Sequence, residues 1–158
     1  MQHWTRRLLL LVLSTTLCGV AAAADTVEVK PATDALSPAR TQIAAKNWSG
    51  AIDELKRIND VANADWNNLM GYSLRKSKTP DLAAAEKFYN EALRINPKHR
   101  GALEYSGELY LMQGDLAMAE QRLAALDKAC FLPCEEYKDL KNAVARFKAA
   151  GNKYVAAQ

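Results

Sequence analysis

The stretch Leu82-Ala-Ala-Ala-Glu-Lys-Phe-Tyr-Asn-Glu-Ala92 decides the fold, because the chain writes it in related form twice more. The other two are Trp48-Ser-Gly-Ala-Ile-Asp-Glu-Leu-Lys-Arg-Ile58 and Leu116-Ala-Met-Ala-Glu-Gln-Arg-Leu-Ala-Ala-Leu126, so that successive copies start 34 residues apart. Four columns agree in this register: Trp48, Leu82, Leu116; Ala51, Ala85, Ala119; Leu55, Tyr89, Leu123; and Ile58, Ala92, Leu126. Within a copy they fall at i, i+3, i+7 and i+10, which is one face of an α-helix. The Ala column carries the most information, since a methyl group lets a neighbouring helix approach where a larger side chain holds it off.

Working outward, a second helix precedes the middle and last copies. Asn67, Met70, Gly71 and Leu74 align with Leu103, Ser106, Gly107 and Tyr110 at a spacing of 36. The two additional residues fall around Lys78, where Thr79 is read as N-cap and Pro80 as the first helical residue. Gly114-Asp115 supplies the equivalent turn in the last copy, and Pro97 closes the middle one. Repetition at such a period is the mark of stacked helix pairs. Three repeats are expected, at roughly 36–63, 64–99 and 100–133. A final helix over 133–150 starts at Pro133, turns Tyr137, Leu140, Val144 and Phe147 inward, and ends at Gly151 before a tail over 151–158.

The residues Gly71, Ala85, Tyr89, Ala92 and Pro97, with Gly107, Tyr110, Gly114 and Ala119, resemble the signature positions of the tetratricopeptide repeat (TPR). The resemblance covers residues 64–133 well and 36–63 weakly, as befits a terminal repeat with one face in solvent. It implies an all-α fold, a short α-solenoid of about three helix-turn-helix units with a C-terminal capping helix. Arg100-Gly-Ala-Leu-Glu-Tyr105 and the segment from Cys134 to Val144 further resemble small exported proteobacterial TPR proteins. The resemblance also implies a concave wall made by the first helix of each repeat, where a protein or peptide partner is held. The positions lining it are Asp65, Asn68, Tyr72, Arg75 and Lys76 in the middle repeat and Gly101, Glu104, Glu108, Leu111 and Met112 in the last. These side chains are expected to project away from the core, so that Tyr72→Ala with Arg75→Glu should leave folding intact. The pattern differs from the Lys/Asn/Arg clamp that grips C-terminal carboxylates.

The start of the chain reads as an export signal over 1–24: Arg6-Arg7, then the apolar run Leu8-Leu-Leu-Leu-Val-Leu13, then Ala21-Ala22-Ala23-Ala24. Leu8 to Ala24 is interrupted by Ser14, Thr15, Thr16 and Gly19 and is short of the ~20 apolar residues of a membrane span. Leu17 before Cys18 disfavours lipid attachment. Residues 25–35 lack helical period and read as a flexible leader. The expected location is the periplasm or outside the cell, with no stable membrane span after cleavage.

Of 21 basic and 18 acidic residues, the signal takes Arg6 and Arg7 with it and leaves the remainder near neutrality. A nucleic-acid partner is therefore not expected, since such binding rests on clustered positive charge. Beyond the signal a single histidine remains, His99, and neither a metalloprotease HExxH, a phosphate-binding glycine loop nor a nucleophile elbow occurs. Asp53-Glu54 and Glu135-Glu136 are sequence neighbours, which diverge on helices. No catalytic residue and no cofactor are assigned, and the expected function is a non-catalytic binding or assembly scaffold.

Cys130 and Cys134 bracket the turn before the last helix. Export and an even count favour a structural disulfide. The alternative is a metal-handling protein, with Cu(I) held by these thiolates and the thioethers of Met112 or Met118, or a thiol-redox protein. Cys-Phe-Leu-Pro-Cys is one residue longer than the Cys-x-x-Cys of thioredoxin-type sites.

Overall fold

Seven α-helices make up the regular structure of the computed structural model, which describes residues 34–132 and 134–156. They are α1 Ser37–Ala44, α2 Trp48–Ile58, α3 Ala64–Lys76, α4 Leu82–Ile95, α5 Arg100–Gln113, α6 Leu116–Ala129 and α7 Glu135–Ala149, with no strand among the described residues. The expected signal over 1–24, the leader through residue 33, Pro133 and residues 157–158 lie outside them. The protein is all-α. Among the described residues no helix is long and apolar enough to cross a membrane.

The first column of the repeat marks helix starts to the residue: α2, α4 and α6 begin at Trp48, Leu82 and Leu116. Each is opened by an Asx side chain that accepts a backbone N–H three residues on. Asn47 takes that of Gly50 at 3.2 Å, Asp81 that of Ala84 at 2.9 Å and Asp115 that of Met118 at 3.0 Å. Such a cap contributes about 1 kcal/mol. The expected start at Thr79-Pro80 is thus corrected to Asp81-Leu82. The physical reason is a turn upstream, in which the Ser77 hydroxyl lies between the carbonyls of Leu74 and Thr79 with its one proton shared or given to either, and the Asp81 N–H reaches the Leu74 carbonyl. Asp34 also departs from the expected loose leader: its carboxylate accepts the Leu36 N–H at 3.0 Å and holds Arg40 at 3.2 Å, tying the chain to the start of α1. Gly114, at φ +83°, closes α5 in the left-handed region that glycine occupies without strain.

Helices α1, α3, α5 and α7 lie side by side, each touching the next, and α2, α4 and α6 form a second layer, each packed between its two chain neighbours. The Ala column sits at the seam, with Ala51, Ala85 and Ala119 all fully buried. Gly71 serves the same seam from α3: a Cβ there would stand 2.9 Å from the Tyr89 ring and 3.0 Å from the Ala85 carbonyl of α4. Gly107 instead makes room for α7, since a Cβ would stand 2.5 Å from Leu140. Leu140, Val144 and Phe147 bury the inward face of α7 as the period implies, joined by Ala143, while Tyr137 is only partly buried.

The core falls in two clusters. Leu36, Ala39, Leu55, Trp66, Leu69 and Met70 hold α1 and α2 to α3, while the larger cluster runs from Ala85 to Phe147; Leu74 packs against both. Ala119→Leu is expected to overpack the α5–α6 seam and lower stability by about 1–3 kcal/mol. Urea titration checks this, and an unchanged midpoint would count against the 34-residue register.

Candidate functional site

The wall formed by α3 and α5 is a ladder of three rungs. Asn68, Tyr72 and Arg75 share one face of α3, and Gly101, Tyr105 and Glu108 one face of α5. At the first rung the Asn68 amide nitrogen closes to within 3.1 Å of where a Gly101 Cβ would be. At the second the rings of Tyr72 and Tyr105 lie 4.5 Å apart. At the third, Arg75 Nη1 pairs with Glu108 at 2.7 Å.

Arg75 is the hub of this wall and not a solvent-facing residue. Its side chain is only 2% exposed. Nε donates to the Tyr89 hydroxyl at 3.3 Å, Nη1 faces Met112 Sδ at 4.0 Å, and the guanidinium lies over the rings of Tyr72 and Tyr105 at 5.5 and 5.6 Å. Burial works against the charge, but the Tyr89 and Glu108 oxygens more than offset it and the Arg75 pKa is raised. Burial pushes the Tyr89 hydroxyl up as well, against the pull of Arg75.

The expectation that the wall residues project away from the core is therefore corrected for four of them. Asn68, Arg75, Glu104 and Leu111 are buried, and Leu111 belongs to the larger core cluster. The reason is lateral packing: α5 covers the open face of α3, and α7 that of α5. Tyr72, Tyr105, Glu108 and Met112 keep partial exposure, and Lys76 is exposed.

Asp65 is exposed but engaged. Its carboxylate takes Arg40 of α1 at 2.8 Å on one oxygen and His99 Nε2 at 2.8 Å on the other. His99 Nδ1 accepts the Ala102 N–H at 3.1 Å and so caps α5, which leaves Nε2 carrying the proton toward Asp65. His99 thus pins the start of α5 to α3.

Glu104 is different in kind. It is 8% exposed, and no hydrogen bond or ion pair to a described residue meets its carboxylate. Burial raises its pKa to about 8, assisted by the negative charges of Glu108, Asp139 and Glu136 and opposed by Arg75. The folded protein then holds a proton that the unfolded chain, near its ordinary 4.5, releases. Stability should fall as pH rises between those values. Glu104→Gln is expected to raise the urea midpoint at pH 9 relative to the parent and to leave it nearly unchanged at pH 5. Parallel pH profiles for the two proteins would contradict this.

The sulfurs of Cys130 and Cys134 lie at bonding distance, 2.02 Å, with Cα atoms 5.9 Å apart. Arg100 Nε contacts Glu136 at 3.4 Å beside them and joins α5 to α7. The thioethers considered for Cu(I) stand elsewhere. Met112 is twelve residues along α5 from Arg100, and Met118 twelve residues along α6 before Cys130, about 18 Å in each case at 1.5 Å per residue. Between the cysteines Phe131 and Leu132 are exposed, on the rim of an open cleft of about 750 Å³ that also takes in Lys98, His99 and Arg100. Replacing both cysteines by serine is expected to speed amide exchange over 135–149 while leaving 64–112 unaffected, because the tether is local and its closed loop short.

No protein-family model and no curated protein matches this chain. The functional reading accordingly rests on its own residues. The α3–α5 wall is the better-built surface: its rungs are cross-braced by aromatic and charged contacts, and sequence reasoning had singled out its α3 side. The α5 side was legible only in part. Tyr105, whose ring lies tilted against that of Tyr72, was missed because its neighbour Glu104 occupied the aligned position, although an aromatic one turn after Gly101 was a usable signal.

Proposed function

We propose that this protein is an exported, non-catalytic helical-repeat scaffold of the tetratricopeptide type, which holds a protein or peptide partner along the face of α3, α5 and α7. The observation that carries the reading is the Tyr72–Tyr105 pair, 4.5 Å apart and partly exposed on a wall braced behind it by Arg75 and Glu108. Aromatic surface fixed in place by buried contacts binds with little loss of side-chain entropy. Partly exposed Glu108 and Met112 and exposed Lys76 extend the surface beyond the rings. The 34-residue register, with its three helix starts and buried Ala column, supports the repeat assignment. Export is supported by Arg6-Arg7, the apolar run after them and Ala21 to Ala24, and it suits the joined cysteines. A mass spectrum of protein from the exported fraction should show a chain starting at Asp25.

A photo-crosslinking residue in place of Tyr72 tests the wall directly. Adducts with envelope proteins are expected there and not with the same residue in place of exposed Lys87 on α4. Equal labelling at the two positions would sink the reading. The double variant Tyr72→Ala/Arg75→Glu is unsuited to the purpose, because Arg75 belongs to the core.

A further inference from the structure

We propose that Glu104 is the seat for a lysine side chain of the bound segment, which makes the wall selective for a basic partner; the inference rests on reading that wall as a peptide-binding surface. A carboxyl group 8% exposed and without a partner among the described residues keeps its proton because its charge would be costly there, and an incoming cation would take that proton's place. The surrounding charges point the same way. Of the acidic groups facing it, Glu108 is engaged by Arg75 and Glu136 by Arg100, while Asp139 of α7 has no ion-pair partner among the described residues. The corner is thus short of positive charge. An acidic segment would be repelled there, and an apolar one would leave Glu104 unpaired.

Two further features belong to a binding wall and not to a solvated acidic face. Asn68, on the neighbouring rung, is 7% exposed and its Oδ1 is buried without a hydrogen-bond partner. Either orientation of that amide leaves a buried polar atom unsatisfied beside the wall. The rings of Tyr72 and Tyr105 already hold one cation, the Arg75 guanidinium, so the walls beside Glu104 are of a kind that accepts another. A lysine suits the place better than an arginine, because a flexible apolar stem can lie along a tyrosine and deliver a single compact charge.

The test uses the purified protein and pools of acetylated, amidated hexapeptides with lysine, norleucine or glutamate fixed at one central position. Capture of the lysine pool is expected to exceed that of the norleucine pool by about tenfold, as for a charge-assisted hydrogen bond formed out of water. Glu104→Gln should remove the preference, whereas Asp53→Asn, at an exposed carboxylate on α2, should keep it. Calorimetry of the lysine pool at pH 7 in two buffers of different ionisation enthalpy should show proton release by the parent and none by Glu104→Gln. Equal capture of lysine and norleucine pools, or a preference that survives Glu104→Gln, overturns the inference; the groove reading then still stands if Tyr72→Ala abolishes capture. Capture of no pool, or capture indifferent to Tyr72→Ala, overturns both.

Discussion

Arg75→Ala is expected to cost about 3–5 kcal/mol of folding stability, the range for breaking a buried ion pair from one side. The variant loses the pair with Glu108 and strands the Tyr89 hydroxyl in the core. It also empties the space over Tyr72 and Tyr105. Glu108 retains 20% exposure and can turn toward water, which places the expected value at the lower end. A control comes from the chain itself: Leu111 stands on α5 where Arg75 stands on α3 and is equally buried. Arg75→Leu combined with Glu108→Gln should accordingly recover part of the loss, since the two matched charges are removed together while the Tyr89 hydroxyl still lacks its donor. Urea unfolding of the three variants decides the matter. A loss under 1 kcal/mol for Arg75→Ala would mean that this arginine is solvated after all.

Trp66→Ala should be as damaging, at about 3–5 kcal/mol for a large buried aromatic. The indole is 3% exposed, makes an edge contact with Phe88 at 5.8 Å and donates its N–H to the Leu55 carbonyl at 2.8 Å. It is the bolt between α2 and α3, within the smaller core cluster. The expected signature is regional. Amide exchange should accelerate across 37–58 well before 100–149, and Trp66→Phe, which keeps the packing but not the donor, should fall between. Uniform acceleration along the chain would show that the two clusters unfold as one.

Much of the fold was legible because helical period and capping are local matters. The i, i+3, i+7, i+10 columns depend on 3.6 residues per turn, and an Asx three residues before a free N–H is a contact within one turn. This is why the starts of α2 and α6 were located to the residue and the Ala column was recognised as a seam. The start of α4 went to Asp81 instead of Thr79 because Ser77 and the Leu74 carbonyl organise a turn that no period announces. Trp66 carried no repeat column and so no signal, though it is a principal contact of the first core cluster.

The candidate site divides along the same line. The sequence by itself determined that Asn68, Tyr72 and Arg75 share a helix face and that Gly101, Glu104 and Glu108 share another, since spacing on a helix settles azimuth. It also determined that Cys130 and Cys134 flank one short turn. Only the tertiary structure decided what those faces meet. Lateral packing of α3, α5 and α7 buried Arg75 against Glu108 and Tyr89, drew Leu111 into the core, left Glu104 without a partner among the described residues and gave Asp65 to Arg40 and His99. The physical reason is that each of these contacts joins residues from different helices, at separations of 14 to 37 residues for those of Arg75, and helix periodicity is silent on how one helix lies against the next.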